Sequence, residues 1–151
     1  DRVDGRAWAT VVSIAAKLPQ GTAAWFEMVG KLVCEAASRA NLPPNLNWSL
    51  VERYRDGSPL QNGRVQGIRI DVKNGRPSFQ IGVSKDERGD VTIEISRKAA
   101  RELNLLYATD PAYAVVRDAA LSLGEIRIDG DLAPVVDWLG VAHAPIVDRT
   151  C

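Results

Sequence analysis

The sequence predicts an α+β fold, a five-stranded, mostly antiparallel sheet with helices covering one face. Three observations carry that prediction. Several short stretches alternate apolar with charged or polar residues at period two, the pattern of a half-buried strand. Asn74-Gly75 stands between two of them, the strongest short signal for a type I′ hairpin turn. Helical spacing then interrupts the strands over residues 97–121, between the fourth and the fifth. Because each strand has one apolar and one charged face, helices are expected on one side of the sheet only.

Taken in order, residues 6–18 (RAWATVVSIAAKL) read as a first short helix, although the β-branched Val11, Val12 and Ile14 leave strand open. Pro19-Gln20-Gly21 interrupts it, and Thr22 is placed to N-cap the next helix. From there Trp25, Phe26, Val29, Leu32, Val33, Ala36 and Ala37 form an apolar stripe at helical spacing, while Glu27, Lys31 and Glu35 occupy the opposite flank four residues apart. This is a helix built to cover a sheet. Asn41-Leu42-Pro43-Pro44-Asn45 is a stiff connector.

The first strand, over 47–55, puts Trp48, Leu50 and Tyr54 on one face, and Glu52 falls on that same face. A carboxylate in an apolar row must be paired, solvated by a cavity, or neutralised by a raised pKa. After a turn at Asp56-Gly57-Ser58-Pro59, Ile68, Ile70 and Val72 alternate with Arg69, Asp71 and Lys73. Phe79, Ile81 and Val83 return along the hairpin, the charged SKDERGD segment leads to the next strand, and Asp86-Glu87-Arg88-Gly89 within it reads as a solvated turn. Val91, Ile93 and Ile95 mark the fourth strand. Ala99, Ala100, Leu103, Leu106 and Tyr107 recur at helical spacing, and a second helix opens at Asp110-Pro111, an Asp N-cap before a Pro at the first helical position. Ile126 and Ile128 give the fifth strand. Leu132, Val135, Val136, Trp138 and Leu139 give a short last helix. The expected organisation is an N-terminal extension over 1–21, one α+β domain over 22–140 and a tail over 141–151.

Composition narrows the classes of function. Lys plus Arg and Asp plus Glu both number 19, so the zero net charge argues against nucleic acid as the main partner. No run of about 18 apolar residues is present, so no stable membrane insertion is expected. The opening DRVDGR has neither Met nor a signal-peptide core and reads as a trimmed start. Cys34 and Cys151 cannot form a disulfide framework or a zinc site by spacing, which makes a reducing, cytoplasmic setting the default. His143 is the only histidine, so a histidine metal cluster is excluded, and the scattered glycines do not make a phosphate-cradling loop before a helix. No cofactor is expected.

Two stretches are similar to a known family. Asp90-Val91-Thr92-Ile93-Glu94-Ile95-Ser96 resembles the fourth strand and following helix start of the sterol carrier proteins, or nonspecific lipid-transfer proteins. Gly124-Glu125-Ile126-Arg127-Ile128-Asp129-Gly130-Asp131-Leu132 resembles their Gly-Lys-Leu-x-Ile-x-Gly-Asp/Asn-Met signature, with Glu125 in place of Lys and Leu132 in place of Met. By layout the resemblance covers residues 24–140. It implies a tunnel between sheet and helices that takes up acyl chains, sterols or other apolar molecules. The main alternative fold, a cone-shaped sheet of the ketosteroid-isomerase type, places its helices before its long strands, unlike the helices at 97–121.

Two functions are expected on this reading. The first is binding of an apolar small molecule (lipid, isoprenoid or polyketide-like) in an internal hydrophobic tunnel, contacted by Trp25, Met28, Val29, Trp48, Leu50, Phe79, Ile81, Tyr107 and Trp138. In a packed fold the same residues are ordinary core. The second is a small cofactor-independent isomerase, cyclase or hydrolase, with Glu52 as general acid or base and Tyr54 beside it as a hydrogen-bond donor. Against it stands a structural reading in which the Glu52 strand lies at the sheet edge, paired to an Arg or open to solvent. Arg69, Asp71, Glu94, Arg127 and Asp129 lie on the outer sheet face, where cross-strand charge pairing explains them, and a protein partner docking there would be sensitive to Arg69 and Arg127. His143 reads as a surface residue unless the tail folds over a cavity mouth. The oligomeric state is left open.

Overall fold

The computed structural model describes residues 16–151. Most of the helix expected over 6–18 therefore lies outside the described residues. The first described helix, α1 (Ala23–Arg39), begins where Thr22 accepts a 3.2 Å hydrogen bond from the Trp25 amide, as its N-cap position requires. Its buried stripe is Trp25, Phe26, Met28, Val29, Gly30, Val33, Ala36 and Ala37. That face lies chiefly against the returning strand of the hairpin, residues 76–83.

The sheet comprises β1 (Trp48–Tyr54), β2 (Val65–Lys73), β3 (Arg76–Val83), β4 (Val91–Ile95) and β5 (Ile126–Asp129). Its spatial order is β3-β2-β1-β4-β5, with β1 and β4 parallel and every other neighbouring pair antiparallel. Between β2 and β3, Asn74 and Gly75 take φ values of 51° and 75°, the two left-handed residues a type I′ turn needs. Helices α2 (Arg97–Asn104) and α3 (Pro111–Ser122) fill the connection from β4 to β5. Asp110 caps α3 by accepting from the Ala112 amide at 2.9 Å, with Pro111 at the first helical position.

The end of the chain departs from expectation. Residues 141–151, read as a tail, complete α4 (Val136–Val141) and then form α5 (His143–Asp148), whose Ile146 and Val147 are buried. The Trp25 indole donates to Thr150 Oγ1 at 2.9 Å, and Thr150 in turn donates to the Ile146 carbonyl at 2.6 Å. Leu18 pairs with Thr150 in a parallel bridge, so the strand-like entry to α1 and the chain end fasten each other.

The inner sheet face is continuous. Trp48, Leu50 and Glu52 stand beside Val72, Ile70 and Ile68 of β2, while Leu50, Glu52 and Tyr54 stand beside Val91, Ile93 and Ile95 of β4. The helices cover this side. On the opposite face the turn expected over Asp86–Gly89 is largely exposed, as read, and it is also anchored to the sheet. The Arg53 guanidinium donates to the Ser84 and Glu87 carbonyls, and Glu87 receives the Ser84 amide at 3.0 Å and Arg69 at 3.2 Å. With Asp71 bonded to Arg69, these charges cross-link the loop to β1 and β2 and leave Arg53 only 8% exposed. The pairing of outer-face charges expected from sequence holds there, with Arg53 near Glu94 and Arg88 bonded to Asp129.

Candidate functional site

Between the inner sheet face and the helices lies a cavity of about 360 Å³. Four parts of the chain wall it: Trp25, Phe26, Val29 and Val33 from α1, Leu50, Ile68, Ile70, Ile93 and Ile95 from the sheet, Leu103, Asn104 and Tyr113 from α2 and α3, and Leu132, Val136, Leu139, Ala142, His143 and Ile146 from the last segment. The volume lies in the range of roughly 300–1,000 Å³ in which small-molecule sites fall. Each wall follows from local sequence: period-two strands present isoleucines and leucine on one side, and α1 presents one turn-spaced apolar stripe.

Glu52 is the one carboxylate on that wall. Its strand β1 is the middle strand of five, not an edge strand, so the Glu52 side chain rises from the centre of the sheet between Ile68 and Ile93. Among the described residues it makes no hydrogen bond and no ion pair; the accessible surface it keeps faces the cavity. Burial pushes its pKa from 4.5 to about 7, because an ionised carboxylate loses its hydration there and no partner replaces it. The edge-strand explanation for Glu52 is therefore excluded.

The structure redistributes the other expected site residues. Trp25, Val29 and Leu50 line the cavity. Met28 and Trp48 are core residues outside its wall, and Trp48 packs edge-on against Trp138 with ring centroids 6.3 Å apart. Trp138 instead faces a shallow groove between α1 and α4, with its indole N–H buried and without a partner among the described residues. Phe79 and Ile81 lie half-buried at the core margin, Phe79 against the bare Cα of Gly30. Tyr107 is exposed and donates to Asp148 on the surface. Tyr54 packs against Phe26, and its hydroxyl accepts from Gln20 at 2.6 Å, which occupies it outside the cavity. Burial, reinforced by the charge of Glu52 and opposed by the Gln20 hydrogen bond, holds its phenol well above the ordinary tyrosine value.

The phenol that does share the cavity with Glu52 is Tyr113, together with His143 and Asn104. Tyr113 and His143 meet edge-to-face at 5.0 Å. Burial pushes the Tyr113 phenol up; Arg117, 5.9 Å above its ring, opposes this, and the charge of Glu52 adds to it. His143 Nε2 lies 2.8 Å from the Leu106 carbonyl; a carbonyl only accepts, so Nε2 carries a hydrogen and donates it. Asn104 donates its amide to the Ala100 carbonyl at 2.7 Å and keeps its side-chain oxygen. Tyr113 is not among the residues expected from sequence, and His143, expected at the surface unless the tail folded over a cavity mouth, lines the cavity because α5 does fold over it. The signal was nonetheless present: Trp138, Ala142 and Ile146 recur every four residues.

No family model and no curated protein sequence matches the chain. Solved structures similar to it include a sterol carrier protein 2, at 19% identity and a TM-score of 0.44 over 86% of this chain and 97% of that one. The sterol carrier protein domain 2 of Helicoverpa armigera is likewise similar at 19% identity and a TM-score of 0.44, over 89% and 95%. The palmitated SCP2L2 of Aedes aegypti is similar at 18% identity and 0.41, over 78% and 93%. Among the described residues no helix is long and apolar enough to cross a membrane.

Proposed function

We propose that this chain binds an apolar small molecule in the cavity between its sheet and its helices. The observation that supports the reading is the wall itself, apolar side chains from every layer of the fold around one volume of about 360 Å³. Left without a ligand, such a volume forfeits dispersion contacts on all sides, and a well-packed domain of this size does not ordinarily keep one.

A brominated alkane tests it. Trp25 lines the cavity whereas Trp48 and Trp138 do not. A bromine-bearing chain seated inside is expected to quench Trp25 emission saturably at one equivalent, and the Trp25→Phe variant is expected to lose that component. Quenching that rises linearly without saturation, equal in both proteins, refutes the reading.

Acid–base catalysis is the second reading, favoured by one observation: Glu52 is held near pKa 7 on a wall that also carries Tyr113 and His143. At neutral pH such a carboxyl exists in both forms and can give or take a proton from a seated substrate. The role expected of Tyr54 would pass to Tyr113. Glu52→Gln separates the readings, since a binder keeps its ligand and an enzyme loses turnover while still binding.

A further inference from the structure

The polar groups on the cavity wall are unevenly matched. Glu52 offers carboxylate oxygens, the one formal negative charge on the wall, while Asn104, with a side-chain oxygen and its second amide hydrogen, and the Tyr113 hydroxyl are neutral groups able to donate as well as accept. No Lys or Arg lines the cavity among the described residues. A wall with one carboxylate and no permanently cationic side chain favours a positively charged donor over an incoming anion.

Building on the reading that the cavity holds an apolar molecule, we infer that this molecule carries a basic nitrogen seated at Glu52, and that the site discriminates against fatty-acid carboxylates. A lone buried carboxylate is the costly arrangement, because its hydration is lost and no countercharge replaces it. An alkylammonium head brings that countercharge together with N–H donors for the Glu52 carboxylate. An alcohol supplies one donor and leaves the charge uncompensated. A carboxylate head would place two like charges together on an apolar wall, as unfavourable as two carboxylates sharing one site.

The titratable groups around Glu52 are few. Tyr54 lies on its own strand, Tyr113 comes from α3 and His143 from α5, while β2 and β4 present Ile68 and Ile93 and α1 presents only apolar side chains. Glu52 is the one carboxylate among them, so the part of any pH-dependent preference that Glu52→Gln lacks belongs to its titration.

Octylamine, octanol and octanoate, which share one chain and differ in the head, make the test by calorimetric titration of the full chain near pH 8. The amine is expected to bind at least about tenfold tighter than the acid, the factor a charge-assisted hydrogen bond supplies. Glu52→Gln is expected to reduce that ratio to roughly threefold or less. Lowering the pH to about 5.5 is expected to shrink the ratio in the wild-type protein, as Glu52 takes up a proton, and to change it less in Glu52→Gln. Equal binding of all three heads, a tighter alcohol, a preference that survives in Glu52→Gln, or one that ignores pH would each overturn the basic-nitrogen assignment and leave the apolar-cavity reading standing. Failure of all three to bind would remove both.

Discussion

Glu52 makes a stability prediction that needs no ligand. Its folded-state pKa of about 7 exceeds the ordinary 4.5, so the native state holds a proton that the unfolded chain releases. Stability from this group is intact below pH 4.5, falls as pH rises to about 7, and is flat above. A rise of that size corresponds to about 3 kcal/mol at ~1.4 kcal/mol per decade, and Glu52 is only partly buried, so about 1–2 kcal/mol is expected. Urea unfolding of wild type and Glu52→Gln should converge near pH 4.5 and diverge by that amount at about pH 8, with the variant the more stable; parallel curves would contradict the assigned environment. A second single-residue test is Gly30→Ala. Inside an exposed helix the change stabilises by up to ~1 kcal/mol, but here the added methyl would occupy the Phe79 ring. A loss of about 1–3 kcal/mol is expected in urea unfolding.

At the scale of elements, two segments that look peripheral in the sequence turn out to be structural. Asp86-Glu87-Arg88-Gly89 reads as a wet turn because charge runs usually face solvent, and its Asp86 and Arg88 are exposed as read. What composition cannot reveal is that Arg69 and Arg53 on two strands sit where Glu87 and its carbonyl can reach them. Burial pushes the Glu87 carboxyl up, but the Ser84 amide, Arg69 and Arg64 together draw it below the ordinary range. Its contribution is therefore present above that range and lost as pH falls through it. Glu87→Gln is expected to cost about 1–2 kcal/mol and to speed hydrogen exchange at the Ser84 amide. The chain end gives the other case. Thr150→Val keeps the shape but orphans the buried Trp25 indole N–H, and a loss of about 1–3 kcal/mol is expected on thermal or urea unfolding. An unchanged midpoint would mean that the α1–α5 fastening carries no weight.

Over the whole molecule, legibility followed the range of the interactions. Strand faces, the Asn74-Gly75 turn and the caps at Thr22 and Asp110 are decided within a few residues, and all are found as read. So is the placement of Glu52 on the apolar face, since period-two alternation fixes it from its neighbours alone. Its position on the central strand is different. That depends on β4 pairing parallel to β1 across about forty residues of chain, a choice no local pattern encodes. The cavity wall is less legible still, because Tyr113, His143 and Ile146 reach it only once α3 and α5 close over the sheet. A volume between layers is set by how the layers fail to touch. Whether that volume holds an apolar molecule is decided by mass spectrometry of the purified protein under native conditions, followed by denaturing extraction of whatever it carries. One apolar molecule per chain is expected, or stoichiometric uptake of an octyl compound by an initially empty protein. A protein that is empty and stays empty at saturating octylamine, octanol and octanoate would contradict the proposed binding.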